Sequence, residues 1–102
     1  MNKSEQIARL RQIRTRNIGP MTYSLLMRRY GSAEAAIAAI PTLAQRGGSK
    51  ISLASIASVT AFLESIDAAD AVLLWRDSEY YPERLAQFDD APACITARGN
   101  LH

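Results

Sequence analysis

The hydrophobic period of the chain changes once, near residue 70, and that change decides what the chain can fold into. Before it, apolar residues recur at helical spacing, and four or five short helices are predicted. After it come two short apolar runs of strand type, Ala71-Val72-Leu73-Leu74-Trp75 and Ala93-Cys94-Ile95-Thr96-Ala97. Two strands of that length do not make a stable sheet alone, so the second part reads as the opening of something larger. A chain of 102 residues can bury one modest core but hardly two.

Within the helical part, Ser4 before Glu5 suits an N-cap, and Ile7, Leu10 and Ile13 share a face, which predicts a helix over 4–15. Arg9, Arg11 and Arg14 flank that stripe, where arginine stems rest on the core and the heads reach water. Thr15 to Pro20 holds residues that tolerate positive φ and a proline suited to a first helical turn, so a tight turn feeds a second helix over 20–30. Its Tyr23, Leu26, Met27 and Tyr30 lie on one face with Met21 and Leu25 opposite, the pattern of a central helix contacted on two sides. Gly31 ends it, and Ser32 starts an alanine-rich helix over 32–39 that Pro41 closes. Thr42 to Lys50 gives one further turn and then a loop at Gly47-Gly48-Ser49-Lys50. A longer helix follows over 52–69, carried by Ile56, Val59, Leu63 and Ile66, and a brief helical turn is predicted at 83–88 between the strand-like runs.

A composition of 48% hydrophobic and 22% charged residues belongs to a folded protein. The charge is divided: residues 1 to 50 hold nine Lys/Arg against two Asp/Glu, residues 51 to 102 three against eight. Such asymmetry marks either a nucleic-acid surface or two surfaces that neutralise each other within one fold. Glu64 and Asp67 sit one helical turn apart without a third ligand, and Asp67 and Asp70 near a helix C-terminus are better explained by pairing with the basic half. Tyr80-Tyr81 could stack on bases, although aromatic residues beside a strand more often fill a core.

Cys94 is the only cysteine and His102 the only histidine, which excludes an internal disulfide and leaves a zinc or redox site without its second thiol. No Gly-rich phosphate loop, nucleophile elbow or Ser/His/Asp set occurs, so the chain is expected to be non-catalytic and to use no cofactor. The N-terminus has no apolar segment behind a basic start, and no apolar run is long enough to span a bilayer, so a cytoplasmic location is expected.

Asn17-Ile18-Gly19-Pro20 between two short helices resembles the hairpin of a helix-hairpin-helix module. Small residues there let the backbone approach DNA, so that amides at the second helix's N-terminus donate to a phosphate with help from the helix dipole. Here Asn17 stands where the module usually has its first glycine and adds a side chain at the point of approach. The candidate DNA-contacting residues are Arg16, Asn17, Ile18 and Gly19, with Arg28 and Arg29 as accessory charge, although neighbours on a helix point about 100° apart. The alternative is an ordinary helix-helix turn.

Taken in order, Asn17-Ile18-Gly19-Pro20, Tyr30-Gly31-Ser32-Ala33-Glu34-Ala35-Ala36, Tyr81-Pro82-Glu83-Arg84-Leu85, Pro92 and Arg98-Gly99-Asn100 resemble the DNA-processing protein A family (DprA, also called Smf). Tyr-Pro-x-x-Leu, followed by Pro and then Arg-Gly-Asn at a strand end, is the most specific part. The resemblance implies a mainly α fold: a SAM-like helical domain over 1–70, then the first strands of a truncated Rossmann-like α/β domain over 71–102. It also implies sequence-tolerant binding of single-stranded DNA and loading of the RecA recombinase during competence and natural transformation. The family's main DNA pocket surrounds a Gly-Ser-Arg motif expected shortly after Asn100, so of the strand-end residues only Arg98 and Gly99 join the candidate DNA contacts. A homodimer is a further expected partner. The rival expectation makes the helical domain a protein-interaction or self-association module without DNA contact, and an enzymatic reading would require a dinucleotide fingerprint beyond residue 102.

Overall fold

The computed structural model describes residues 2–48 and 51–98. Helix α1 spans Lys3–Ile13 and is capped by Asn2, whose Oδ1 accepts the Glu5 N–H at 2.7 Å. The cap therefore lies two residues before Ser4: Asn2 has the extended backbone a cap requires, and Ser4 is already in the first turn. Helix α2 spans Pro20–Tyr30, with Pro20 at its first position, and ends at Gly31, which takes φ +80° and returns its N–H to the Met27 carbonyl at 2.9 Å.

Helix α3 spans Ala33–Arg46 and is capped by Ser32, whose Oγ accepts from Ala35 N–H at 3.2 Å. The cap agrees with expectation, whereas the stop at Pro41 does not occur. The buried stripe Ala33, Ala36, Ile40 and Ala44 continues straight past the proline, which lies on the exposed side. Burial of Ile40 and Ala44 offsets the roughly 3 kcal/mol that a proline inside a helix costs.

Helix α4 spans Ile56–Ala68, capped by Ser55, and starts four residues later than its apolar pattern suggested. Residues 51–55 are extended instead. Ile51 and Leu53, two apart, both turn toward the core, and Ala54 is held to the end of α1 from both sides: its N–H donates to Thr15 Oγ at 2.9 Å and its carbonyl accepts from Arg11 Nε at 2.9 Å. The Thr15 hydroxyl in turn donates to the Arg11 carbonyl.

Asp70, at φ +53°, turns the chain from α4 into strand β1, Ala71–Trp75. Strand β2, Cys94–Arg98, pairs with it antiparallel, from Ala71 opposite Arg98 to Trp75 opposite Cys94. Between them lies the single turn α5, Glu83–Ala86. The two-stranded sheet is stable because helices cover it. Trp75 shares a buried cluster with Leu10 of α1 and Val59 of α4, flanked by Leu73 and Cys94. Ala93 closes a second cluster with Ile18, Tyr23 and Ile40, and Ile13 touches both clusters.

Helix α2 is not contacted on two sides. Tyr23 is buried, but Met21 and Leu25 are 56% and 59% exposed. Gln12, fully buried, donates its amide to Met27 Sδ at 4.0 Å, and its Oε1 has no partner among the described residues.

Candidate nucleic-acid interface

The hairpin between α1 and α2 is built by three local choices. Asn17 takes φ +74°, the left-handed turn its side chain tolerates. Ile18 is buried against Tyr23 and Ile40 and anchors the loop, with its N–H donating to the Thr15 carbonyl at 3.2 Å. Gly19 then caps α2 with its backbone alone, making no side-chain cap bond, and a Cβ built on it would meet nothing within 4 Å. Arg16 and Asn17 beside it are exposed. The result is an inward-facing apolar anchor beneath an outward-facing backbone tip at the positive end of a helix dipole.

The other proposed contacts do not join that tip. Arg28 and Arg29 occupy the last turn of α2, about 14 Å along the helix axis from Gly19. Arg29 lies over the Tyr30 ring at 5.4 Å, while Arg28 borders a groove on the flank of α2. Arg98 ends β2, about 16 Å along the strand from Ala93, which packs near the hairpin anchor. Gly99 lies outside the described residues.

Several arginines of the basic half are structural. Arg9 bonds Glu5 at 3.4 Å and Asp77 at 3.1 Å while its guanidinium lies over the Trp75 ring at 5.3 Å. Burial lowers the Arg9 pKa, but the bond to Asp77, the pull of Tyr23 and the bond to Glu5 together outweigh it and hold the group above its ordinary value. Arg14 covers the Phe62 ring at 4.3 Å, and Arg76 donates to the Ala86 and Phe88 carbonyls. The heads expected in water are thus partly spent on the fold. Among the described residues, Lys3, Arg16, Arg28, Arg29 and Arg46 form no ion pair. Nor do Asp67 and Asp70, so the expected pairing of these acids with the basic half is absent there.

Sequence reasoning missed Glu5 as a structural acceptor. Its two carboxylate oxygens accept the Ala33 N–H at 3.1 and 2.9 Å, and one also accepts from Glu34 N–H at 3.3 Å, so α1 caps α3 from a distance. Sequence spacing carries no signal for a contact between residues 28 apart. Of the tyrosine pair, Tyr81 is buried and donates its hydroxyl to the Pro92 carbonyl at 2.6 Å, and Tyr80 is exposed.

Among the described residues, no group of three His, Cys, Asp or Glu is placed to hold a metal ion, and no helix is long and apolar enough to cross a membrane. Burial raises the Cys94 thiol to about 11. It also raises the Tyr23 hydroxyl to about 12, against a smaller opposing pull from Arg9. Both groups hold their protons more tightly folded than unfolded. Their contribution to stability is therefore complete below about pH 9 and is lost as pH rises through 11 to 12. Melting at pH 8, 10 and 11.5 should show a falling midpoint above pH 9, with Cys94 alkylating slowly at pH 9. Alkylation at the rate of a free thiol there would contradict this burial.

Two short helices joined by a turn with a buried apolar anchor and an exposed glycine define a helix-hairpin-helix type of domain. Residues 3–64 match the family described as the DprA-like N-terminal HHH domain, more than half of the chain, and the chain belongs to that family. Comparison with curated proteins gives no match.

Proposed function

We propose that this chain is the N-terminal part of a DprA-like DNA-processing protein and that its hairpin touches the phosphate backbone of single-stranded DNA without reading sequence. The reading rests on family membership together with one observation: Gly19 presents bare backbone to open space at the start of α2, beside Arg16, which is exposed and has no ion-pair partner among the described residues. Its role is binding, not catalysis. Arg28, Arg29 and Arg98 are too dispersed to form one patch with the hairpin and serve at most as separate electrostatic contacts. The main DNA pocket, RecA loading during transformation and the cytoplasmic setting belong to the same proposal and come from family membership. So does the view that residues 71–98 open a Rossmann-like unit.

Fluorescence anisotropy with a labelled oligo-dT tests the hairpin. Two or three phosphate contacts predict about a tenfold loss of affinity between 50 and 200 mM salt. Arg16→Glu should weaken binding by a similar factor. Gly19→Ala adds a methyl where nothing in the fold obstructs it, so the midpoint of melting should hold while affinity falls about fivefold. Salt-independent binding, or full affinity in Gly19→Ala, would refute the hairpin contact.

A further inference from the structure

Gln12 has no exposed surface, yet its surroundings serve it poorly. Its Oε1 has no partner among the described residues, and its amide N–H points at a thioether, Met27 Sδ, across 4.0 Å. A thioether is a weak acceptor, so this buried donor recovers little of what a full hydrogen bond would return. Met27 stands between that amide and water. It packs on the cluster of Ile18, Tyr23, Ile40 and Ala93, and it also borders an open groove of about 670 Å³ on the flank of α2.

The separation fits an oxygen atom. An S–O bond of about 1.5 Å followed by an N–H···O bond of about 2.8 Å spans 4.0 Å when the angle at oxygen is about 135°, a favourable acceptor geometry. The methionine side chain is unbranched, and rotation about its Cγ–Sδ bond carries a substituent on sulfur from the groove toward Gln12 while the sulfur stays in place.

We propose that Met27 is a modification site for hydrogen peroxide, and that the fold accepts its sulfoxide because Gln12 receives the new oxygen. A lone pair on Sδ attacks one peroxide oxygen from the groove side, and the S–O bond forms as the O–O bond breaks. The departing hydroxide takes the proton from the transferred oxygen and leaves as water, so sulfur loses two electrons and the peroxide gains them. The sulfoxide oxygen, a far stronger acceptor than the thioether, then takes the Gln12 Nε2–H. Oxidation of a core methionine ordinarily sets a polar group among apolar ones and disrupts the packing. Here the donor is already in place. Met21, 56% exposed, also oxidises, but its oxygen faces water and leaves the core unchanged. The inference does not depend on the hairpin's binding of DNA.

Hydrogen peroxide treatment of the 102-residue chain, with peptide mass spectrometry to locate the added oxygen, is the test. In a Met21→Leu background Met27 should gain one oxygen while the chain stays folded. The midpoint of melting should move by less than about 3 °C, and the Gln12 side-chain amide resonances should shift on oxidation. Gln12→Leu keeps the volume and removes the donor, so there oxidation of Met27 should lower the midpoint by at least about 8 °C. The amide resonances of the unchanged Gln12 decide the matter independently of that variant. A folded chain whose Met27 stays unmodified, an equal loss of midpoint with and without Gln12, or Gln12 amide resonances that do not move would each overturn the proposal.

Discussion

Replacing Trp75 with alanine is expected to lower the stability of the whole chain by about 3–5 kcal/mol, the cost of emptying a large aromatic site in a core. Trp75 lies on β1, beyond the matched family region, yet it is 7% exposed and is buried with Leu10 and Val59 of the helices. Its ring also supports the Arg9 guanidinium, which ties Glu5 to Asp77. Removing it therefore takes a wall from the helical core and a platform from the ion-pair chain that joins α1 to the turn after β1. A domain of this size has roughly 5–15 kcal/mol in total, so the midpoint of melting should fall on the order of 15 °C. Trp75→Phe should recover most of that. A change of only a few degrees in Trp75→Ala would mean that the strands are a loose appendage, and the description of a shared core would fail.

Glu5→Ala should cost about 2–3 kcal/mol, far more than a solvent-facing glutamate in a first helical turn. The Ala33 amide that it receives belongs to a residue with no exposed surface, so the donor would be left buried and unpaired, a penalty of about 1–3 kcal/mol. The α3 dipole would also lose its anion, worth about 0.3–1 kcal/mol, and Arg9 would keep only Asp77. Glu5→Gln retains an acceptor for Ala33 and should lose about half as much. Denaturant unfolding of the two variants separates the cap from the charge, and equal stabilities for Glu5→Ala and the unchanged chain would remove the α1-to-α3 cap from the account.

Features legible in the sequence were those whose causes lie within a few residues. Ser32 and Gly31 mark α3's start and α2's end through a side-chain oxygen and a left-handed turn, neither of which needs a distant partner. The hairpin was legible for the same reason: Asn17 tolerates the left-handed turn, Gly19 leaves the tip without a side chain, and Ile18 supplies the anchor. The two strands were readable as strands, but their antiparallel pairing was not, because register depends on what covers each face.

Where local preference and long-range packing disagreed, packing decided. Pro41 is a local stop signal, and α3 passes through it because Ile40 and Ala44 are buried by other elements. Ser52 to Ser55 fall within the predicted helix, and they are extended because Thr15 and Arg11 take up the backbone groups of Ala54. Met21 and Leu25 look like a second core face, and no described element covers them. By itself the sequence determined the helices' existence, the Gly31 stop, the Ser32 cap and the hairpin, since each rests on interactions within one or two turns. Tertiary structure alone decided which arginines are spent on the fold, that Glu5 caps a helix 28 residues away, and that Trp75 completes a helical core. Those outcomes come from burial energies summed over contacts between distant residues, which no local spacing encodes.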